Sequence, residues 1–305
     1  MTPQVGNQCE EGFTLDQAGV ATVAFSSNIS RILEAHAEYG ITSLYTVHDT
    51  FFENGVGLRK DWELAWARLQ VELEPLVARR AVFGFFVGDE LFPGKISLAD
   101  FTTCIRALQI FKDAHSALGL VTWENEGGTG WIADFAKTGI PKELDVISMD
   151  DYYMWGWNGT DNRGPSISDD TPQRQVEGHR KFYEHNIYPL LKPHQRVFIV
   201  PGSFGTRDTR QASATAYPRG NRTYCYNGTV DGCDVYMAEQ ARAYGAWAMQ
   251  DARVSGLFPW HWDTRQIGVV TPYKEVGVVD MPKTKAAWRQ IGEMFAESGG
   301  SARGE

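Results

Sequence analysis

The sequence predicts an α/β chain folded as a (β/α)8 barrel, and three observations carry that prediction. Short Val-, Ile- and Phe-rich runs alternate with amphipathic helical stretches along the whole chain. Neither GxGxxG nor GxxxxGK[ST] follows any of these runs, so the phosphate-binding loops common to doubly wound sheets are absent. Nearly every run ends in acids or aromatic residues. Alternating βα units leave a doubly wound sheet or a barrel as the main options. A barrel opens all its strand C-termini on one face, which suits polar groups gathered at strand ends. With 305 residues, 43% of them hydrophobic, one such domain spanning 1–305 is expected, with no visible internal repeat.

Taken in order, the strand candidates are VATVAF (20–25), ITSLYTVH (41–48), AVFGFFV (81–87), LGLVTW (118–123), DVISM (145–149), RVFIV (196–200) and SGLFPWHW (255–262). An eighth is VGVV (276–279) or IGVV (267–270). Runs of this composition bounded by Gly, Pro or Asp suit parallel strands buried on both faces. Between them, NISRILEAHAEYG places Ile29, Ile32, Leu33 and His36 on one helical face and stops at Gly40. A second helix starts at Asp61 and keeps Trp62, Ala65, Trp66 and Leu69 in register. A third runs from a Ser97 cap to Gly119, and residues 172–190, 234–252 and 283–297 read as helices too. The stretches 155–172 and 203–233 read as long insertion loops, which in a compact domain are usually functional.

A net charge of −9 argues against nucleic acid as a partner. No apolar run reaches the length of a membrane span, and none reads as a signal peptide. Two features nevertheless point outside the cell. Asn28, Asn158, Asn221 and Asn227 each head an Asn-X-Ser/Thr triplet. The four Cys allow a local Cys225–Cys233 disulfide around CYNGTVDGC and a Cys9–Cys104 bridge. A secreted glycoprotein is the expectation.

The strand tips read VHDTFFE (47–53), GDE (88–90), WENE (123–126), MDDYYMW (149–155), PGSFG (201–205) and PWHWDT (259–264). Any one acid after a strand is most simply a helix cap. Acids and aromatics recurring along six tips suggest one lined mouth. Strand alternation puts Glu90 with Gly84 and Gly88, and Asp89 with Phe85 and Val87, so Glu90 is expected to point inward. The same rule groups Thr122, Glu124 and Glu126 opposite Val121 and Trp123, and Ser148 and Asp150 opposite Ile147 and Met149.

Several carboxylates in an aromatic-lined cleft suit glycoside hydrolysis. One carboxylic acid protonates the leaving oxygen, and a carboxylate attacks the sugar or activates water. A like-charged neighbour and partial burial keep the acid protonated near neutral pH. Trp and Tyr rings offer flat faces for sugar C–H groups.

VGDE at 87–90 resembles the strand-end Asn-Glu or Asp-Glu dipeptide of (β/α)8-barrel glycoside hydrolases, in many of which the Glu ends the fourth strand and is the acid/base. PWHW at 259–262 resembles the Trp-bearing last strand of the same group. The likeness covers the barrel layout and these two short motifs. Counted from the strand candidates, GDE ends the third strand; a further strand within residues 1–18 would make it the fourth and RVFIV the seventh. The related hydrolases place a nucleophilic Glu on their seventh strand, whereas here the tip is Pro201-Gly202-Ser203. The partner carboxylate would then come from Glu124, Glu126, Asp150 or Asp151.

The expected activity is cleavage of glycosidic bonds in a poly- or oligosaccharide, without cofactor or metal. Glu90 is the expected general acid, and Asp150 or Glu124 the base or nucleophile. His48, Asp49, Asp89, Glu126 and Asp151 are expected to contact substrate, with Asp89 tuning the acid. Tyr152, Tyr153, Trp155, Trp260, His261 and Trp262 join them, as does Trp123, although Trp123, Trp260 and Trp262 equally suit core positions. Two other readings stand beside this one. A metal-dependent hydrolase would gather His48-Asp49, Asp150-Asp151 and His261-Trp262-Asp263, without any HxH or HExxH spacing. A non-catalytic carbohydrate-binding barrel would keep the aromatic cleft and use the acids only to accept hydrogen bonds. His36, His115, His179 and His185 fall on predicted helices and read as surface or packing residues.

Overall fold

The computed structural model describes residues 4–8, 23–53, 56–93, 95–127, 130–150, 171–203, 205–208, 213–214, 230–260, 265–266 and 273–301. The chain divides into two compact units. One comprises Cys9–Asp150 and Ile187–Ile199, the other Met1–Gln8, Asp151–Asn186 and Val200–Glu305.

The first unit holds six parallel strands that pair in chain order: β2 (Val23–Ser26), β3 (Thr42–Thr46), β4 (Val82–Asp89), β5 (Val121–Gly127), β6 (Val146–Asp150) and β7 (Arg196–Ile199). Parallel neighbours need a crossover. Helices α1 (Ile29–Tyr39), α2 (Trp62–Ala78), α3 (Leu98–Ala114) and α4 (Gly130–Thr138) supply the first four. Local chemistry starts and stops them. The Asn28 side chain accepts from the Arg31 N–H at 3.2 Å to open α1, and Gly40, at φ +67°, closes it. The Ser97 hydroxyl accepts from the Asp100 N–H at 3.1 Å to open α3.

The aromatic packing separates the two faces of this sheet. Phe85 of β4 meets Trp66 of α2 at 5.9 Å and Phe111 of α3 at 5.7 Å, so its face is the helix-covered one. Phe86, its chain neighbour, meets Phe25 of β2 at 4.9 Å and Trp123 of β5 at 4.4 Å. Trp123 in turn meets Phe198 of β7 at 5.2 Å. Phe25, Phe86, Trp123 and Phe198 therefore mark the inner face. Each such pair contributes about 0.5–1.5 kcal/mol beyond the area it buries. Beneath the outer face, buried Lys112 of α3 pairs with Asp145, whose Oδ2 also accepts from the Thr122 N–H at 2.7 Å. Cys104 of α3 is a free thiol, fully buried in this layer, so the expected Cys9–Cys104 bridge is not formed. Its side chain faces the core from mid-helix, where burial also pushes the thiol pKa up. Cys233 is buried near the start of the helix Val230–Gln250, and Cys9 and Cys225 lie outside the described residues.

The second unit contains β1 (Gln4–Gln8), which pairs in parallel with β8 (Val254–Leu257) through Gln4↔Gly256 and Val5↔Leu257. It also holds α5 (Pro172–Phe182), α6 (Val230–Gln250) and α7 (Pro282–Ser301). The Asp234 carboxylate of α6 caps α7, accepting from the Thr284 N–H at 2.7 Å and the Lys283 N–H at 2.9 Å. His179 is buried among Tyr183, Tyr244 and Trp247, bonds Tyr244 at 2.9 Å, and is held neutral by burial, its pKa down to about 3.

Three expectations change here. QVGNQ forms a strand, where the sequence offered a choice between 267–270 and 276–279. Tyr273–Val276 instead joins an antiparallel sheet with Gly205–Asp208, Ser213–Ala214 and Arg265–Gln266, and Val278–Asp280 is a helical turn. Residues 267–270 lie outside the described residues. The stretch 203–233, expected to be all loop, contains two of those strands and the start of α6. Counted along the chain, β1 makes Val82–Asp89 the fourth parallel strand and Arg196–Ile199 the seventh.

Candidate active site

The site is built where β4 ends against β5. Phe86 pairs with Trp123, but the next registered pair is Asp89 with Asn125. Three residues of β4 thus advance against two of β5, which is a β-bulge. Such a bulge re-aims the side chains that follow it. Strict alternation had set Asp89 on the helix-covered face. The bulge carries it to the inner face instead, and Asn125 Nδ2 donates to its Oδ1 at 2.7 Å. Asn125 Oδ1 accepts from Ser148 Oγ at 2.5 Å, and that hydroxyl accepts from Trp123 Nε1 at 2.7 Å. The chain Trp123–Ser148–Asn125–Asp89 fixes the amide orientation and holds the Asp89 carboxylate in place.

Glu90 follows with φ at +50°. A left-handed non-glycine residue costs on the order of 1–2 kcal/mol, and such strain persists only where its surroundings over-determine it. Its N–H donates to the Asn125 carbonyl at 3.0 Å. The turn sends its carboxylate over Gly127, where an added Cβ would lie 2.6 Å from Glu90 Cδ. Gly127 follows Trp123 and Asn125 on the inner face by alternation, so the Glu90 carboxylate lies on that face too. Asp89 and Glu90 are both solvent-exposed. Across the ladder Gly127 pairs with Asp150, whose backbone ends β6; nothing further is described of that side chain.

His48 begins a short helical turn after β3 and covers Gly88, where an added Cβ would lie 3.2 Å from its Cδ2. Its Nδ1 bonds Asp49 Oδ1 at 2.8 Å, and Asp49 is 97% exposed.

Glu124 and Glu126 occupy the other side of β5, each 0% exposed. They share a face with Thr122, as alternation predicts, but that face is the helix-covered one. The inward roles expected of them, Glu124 as base or nucleophile and Glu126 at substrate, do not fit this placement. The reason is physical: Trp123 fills the inner face, packing on Phe86 and Phe198 with its N–H spent on Ser148. Trp123 is 2% exposed and offers no ring face to a sugar, so it is core. Trp260 is half-buried in the second unit, its N–H donating to the Pro201 carbonyl at 2.9 Å and its carbonyl accepting from Ser203. Asp151, Tyr152, Tyr153, Trp155, His261 and Trp262 lie outside the described residues. Asn125 and Gly127 were missed by sequence reasoning. The signal for them was the alternation in WENEG, which sets both opposite the glutamates.

Burial sets the charges. Desolvation by surrounding protein raises the Asp89 pKa, the Asn125 bond opposes that, and the Glu90 charge adds to it. Burial pushes Glu126 up to about 7; hydrogen bonds from Glu124 and from the Phe92 and Leu91 amides oppose the rise, and Asp89 adds to it. A buried carboxyl group with its pKa raised to about 7, as at Glu126, can hold or release a proton near neutrality. Among the described residues no three His, Cys, Asp or Glu side chains are grouped to hold a metal ion, and no helix is long and apolar enough to cross a membrane.

No protein-family model matches the sequence, and no curated protein matches it. Solved structures do. A GH113 β-1,4-mannanase superposes with a TM-score of 0.51 at 12% identity, over 96% of this chain and 98% of its own. The endo-1,4-β-xylanase XylE of Penicillium canescens gives 0.51 at 11% identity, over 95% of each chain. An FMN-binding β-glucuronidase from Facaelibacterium prausnitzii L2-6 gives 0.56 at 14% identity, over 95% of this chain. The chain spans only 44% of that glucuronidase's length. At such identities the likeness establishes the fold: this is the (β/α)8 barrel of these glycoside hydrolases.

Proposed function

We propose that the protein is an O-glycosyl hydrolase acting on a poly- or oligosaccharide, with Glu90 as general acid. The observation that carries this is the bulge and left-handed turn that deliver the Glu90 carboxylate over Gly127 at the end of the fourth strand. The likeness to a mannanase, a xylanase and a glucuronidase supports the same class. Asp89, held by Asn125 beside Glu90, places a second carboxyl group next to the proposed acid. Asp150, across the ladder from Gly127, is the proposed partner carboxylate. His48 and Asp49 flank this tip from the end of β3, and Tyr152, Tyr153, Trp155, Trp260 and Trp262 are proposed to stack on sugar rings, with Asp151 and His261 bonding hydroxyls.

The test measures hydrolysis and binding of β-1,4-mannan, β-1,4-xylan and 4-nitrophenyl β-glucuronide by wild type and Glu90→Gln. The expected result is cleavage of one substrate by wild type, with retained binding and a turnover loss of about a hundredfold or more in the variant. Wild-type turnover in Glu90→Gln would sink the assignment.

One observation favours a second reading. The seventh strand ends in Val200-Pro201-Gly202-Ser203, with no carboxylate. A carbohydrate-binding barrel needs none there, and binding of a glycan without cleavage in the same panel would select it.

We further propose secretion as a glycoprotein with a Cys225–Cys233 disulfide. Asn28 is exposed, and its cap uses Oδ1, which leaves Nδ2 for a glycan. The intact mass of natively secreted protein, before and after deglycosylation and reduction, decides both points; an unchanged mass at each step would refute them.

A further inference from the structure

We propose that Glu126 is a positioning residue for Glu90: from the covered side of β5 its carboxyl group holds the backbone of the turn after Glu90 and so keeps that residue over Gly127. For its effect on turnover the proposal rests on the hydrolase reading; for the geometry it stands alone.

A left-handed glutamate needs restraint on both sides. Before the turn, the Glu90 N–H is held by the Asn125 carbonyl at 3.0 Å. After it, the Phe92 N–H donates to Glu126 Oε1 at 3.1 Å, a bond spanning 34 residues of sequence. The Leu91 N–H acts on the same carboxylate. Two successive residues of β5 therefore grip residues 89, 90 and 92: Asn125 through its side chain and carbonyl, Glu126 through its carboxylate. The turn has its own closure, with Lys95 N–H on the Phe92 carbonyl and Ile96 N–H on the Leu91 carbonyl, each at 3.0 Å. The Phe92 ring rests on Phe101 of α3 at 5.4 Å and Phe135 of α4 at 5.3 Å. These contacts hold the turn down but do not set its backbone direction. The Glu126 carboxyl is the group bonded to amides immediately after Glu90.

A bond to an ionised acceptor is roughly twice as strong as one to a neutral acceptor. Protonation of Glu126 therefore loosens the grip, and its pKa of about 7 places that change in the neutral range. The titratable groups acting on it are Glu124 of its own strand, through a hydrogen bond, and Asp89 of β4, through its charge. The turn brings Leu91 and Phe92, and α3 and α4 bring only the rings behind Phe92.

The experiment follows the Phe92 amide in [15N]phenylalanine-labelled protein from pH 5 to 9, assigned with a Phe92→Leu control. In wild type its proton shift is expected to titrate with a midpoint near 7. In Glu126→Gln, which keeps a carbonyl acceptor, the titration is expected to vanish. Turnover on mannan, xylan and the glucuronide is measured alongside. Glu126→Ala is expected to lose about tenfold in kcat with KM within about twofold, and Gln to restore most of it. An amide that does not titrate, or titrates equally in Glu126→Gln, overturns the proposal, as does unchanged kcat in Glu126→Ala. Should Glu90→Gln keep full turnover, or no substrate be cleaved, the hydrolase assignment fails, and the amide titration alone still decides whether Glu126 holds the turn.

Discussion

The two faces of β5 carry opposite chemistry. On the inner face Trp123, Asn125 and Gly127 give a buried ring, a hydrogen-bonding amide and a gap, and none of them carries charge. On the covered face the alternating residues are Thr122, Glu124 and Glu126, two of them carboxylic acids with no solvent exposure. Sequence reasoning assigns chemistry to the acids. The structure gives the inner face to neutral residues that receive acids from β4: Asn125 takes Asp89, and Gly127 makes room for Glu90. The acids on one strand are thus the support for the acids on its neighbour. The proposed acid, Glu90, sits one strand away from the two fully buried carboxyl groups, Glu124 and Glu126.

Breaking the inner face is expected to have the largest effects. After Glu90→Gln itself, the strongest disruption is Gly127→Ala. The new methyl group would occupy the Glu90 carboxylate position, 2.6 Å from its Cδ, so Glu90 must swing away. A displaced acid of this kind is expected to lose about tenfold to a hundredfold in kcat while the fold survives, measured on the cleaved glycan with circular dichroism as control. Turnover within twofold of wild type would mean that Glu90 works from another position.

Asn125→Ala ranks next. It removes the donor that lowers the Asp89 pKa, and leaves the burial and Glu90 influences that raise it. The Asp89 pKa is expected to rise further, so a rate that needs ionised Asp89 shifts its acidic limb to higher pH. The loss at the pH optimum is expected to be a few-fold, in keeping with one charge-assisted bond worth about 1.5–3 kcal/mol partly replaced by water. A superimposable pH–rate profile would remove Asp89 from the mechanism.

Much of the fold was legible in the sequence, and the reason is local. β2 to β7 lie within apolar runs bounded by breakers, and the caps at Asn28, Gly40 and Ser97 are short-range hydrogen-bond chemistry. β1 was not legible because QVGNQ has a single β-branched residue; parallel pairing with Val254–Leu257 makes it a strand. That one strand moves GDE to the end of the fourth. The site was only half legible. Asp89 and Glu90 stood out as acids after an apolar run, but alternation fails at a bulge, and no residue in GDE advertises a left-handed φ at a glutamate. The sidedness of β5 was open for the same reason: alternation groups residues into two faces and does not say which one the aromatic core claims.

The smallest expected effect belongs to the covered face, and it is on stability. Burial holds the Glu126 carboxyl near pKa 7, against 4.5 for a free glutamate. Between those values the folded chain keeps a proton that the unfolded chain has released, so folding is favoured by acid. This contribution is full below about pH 4.5 and is lost as the pH rises through 7. Glu126→Gln, permanently neutral, is expected to abolish it: the variant should gain stability relative to wild type as the pH rises from 5 to 8, and turn over with little change. Urea midpoints for both proteins at pH 5, 6, 7 and 8 give the comparison directly. A difference that stays constant across that range would mean that Glu126 ionises no differently in the folded and unfolded chains, and that the covered face carries its carboxyl pair without tension.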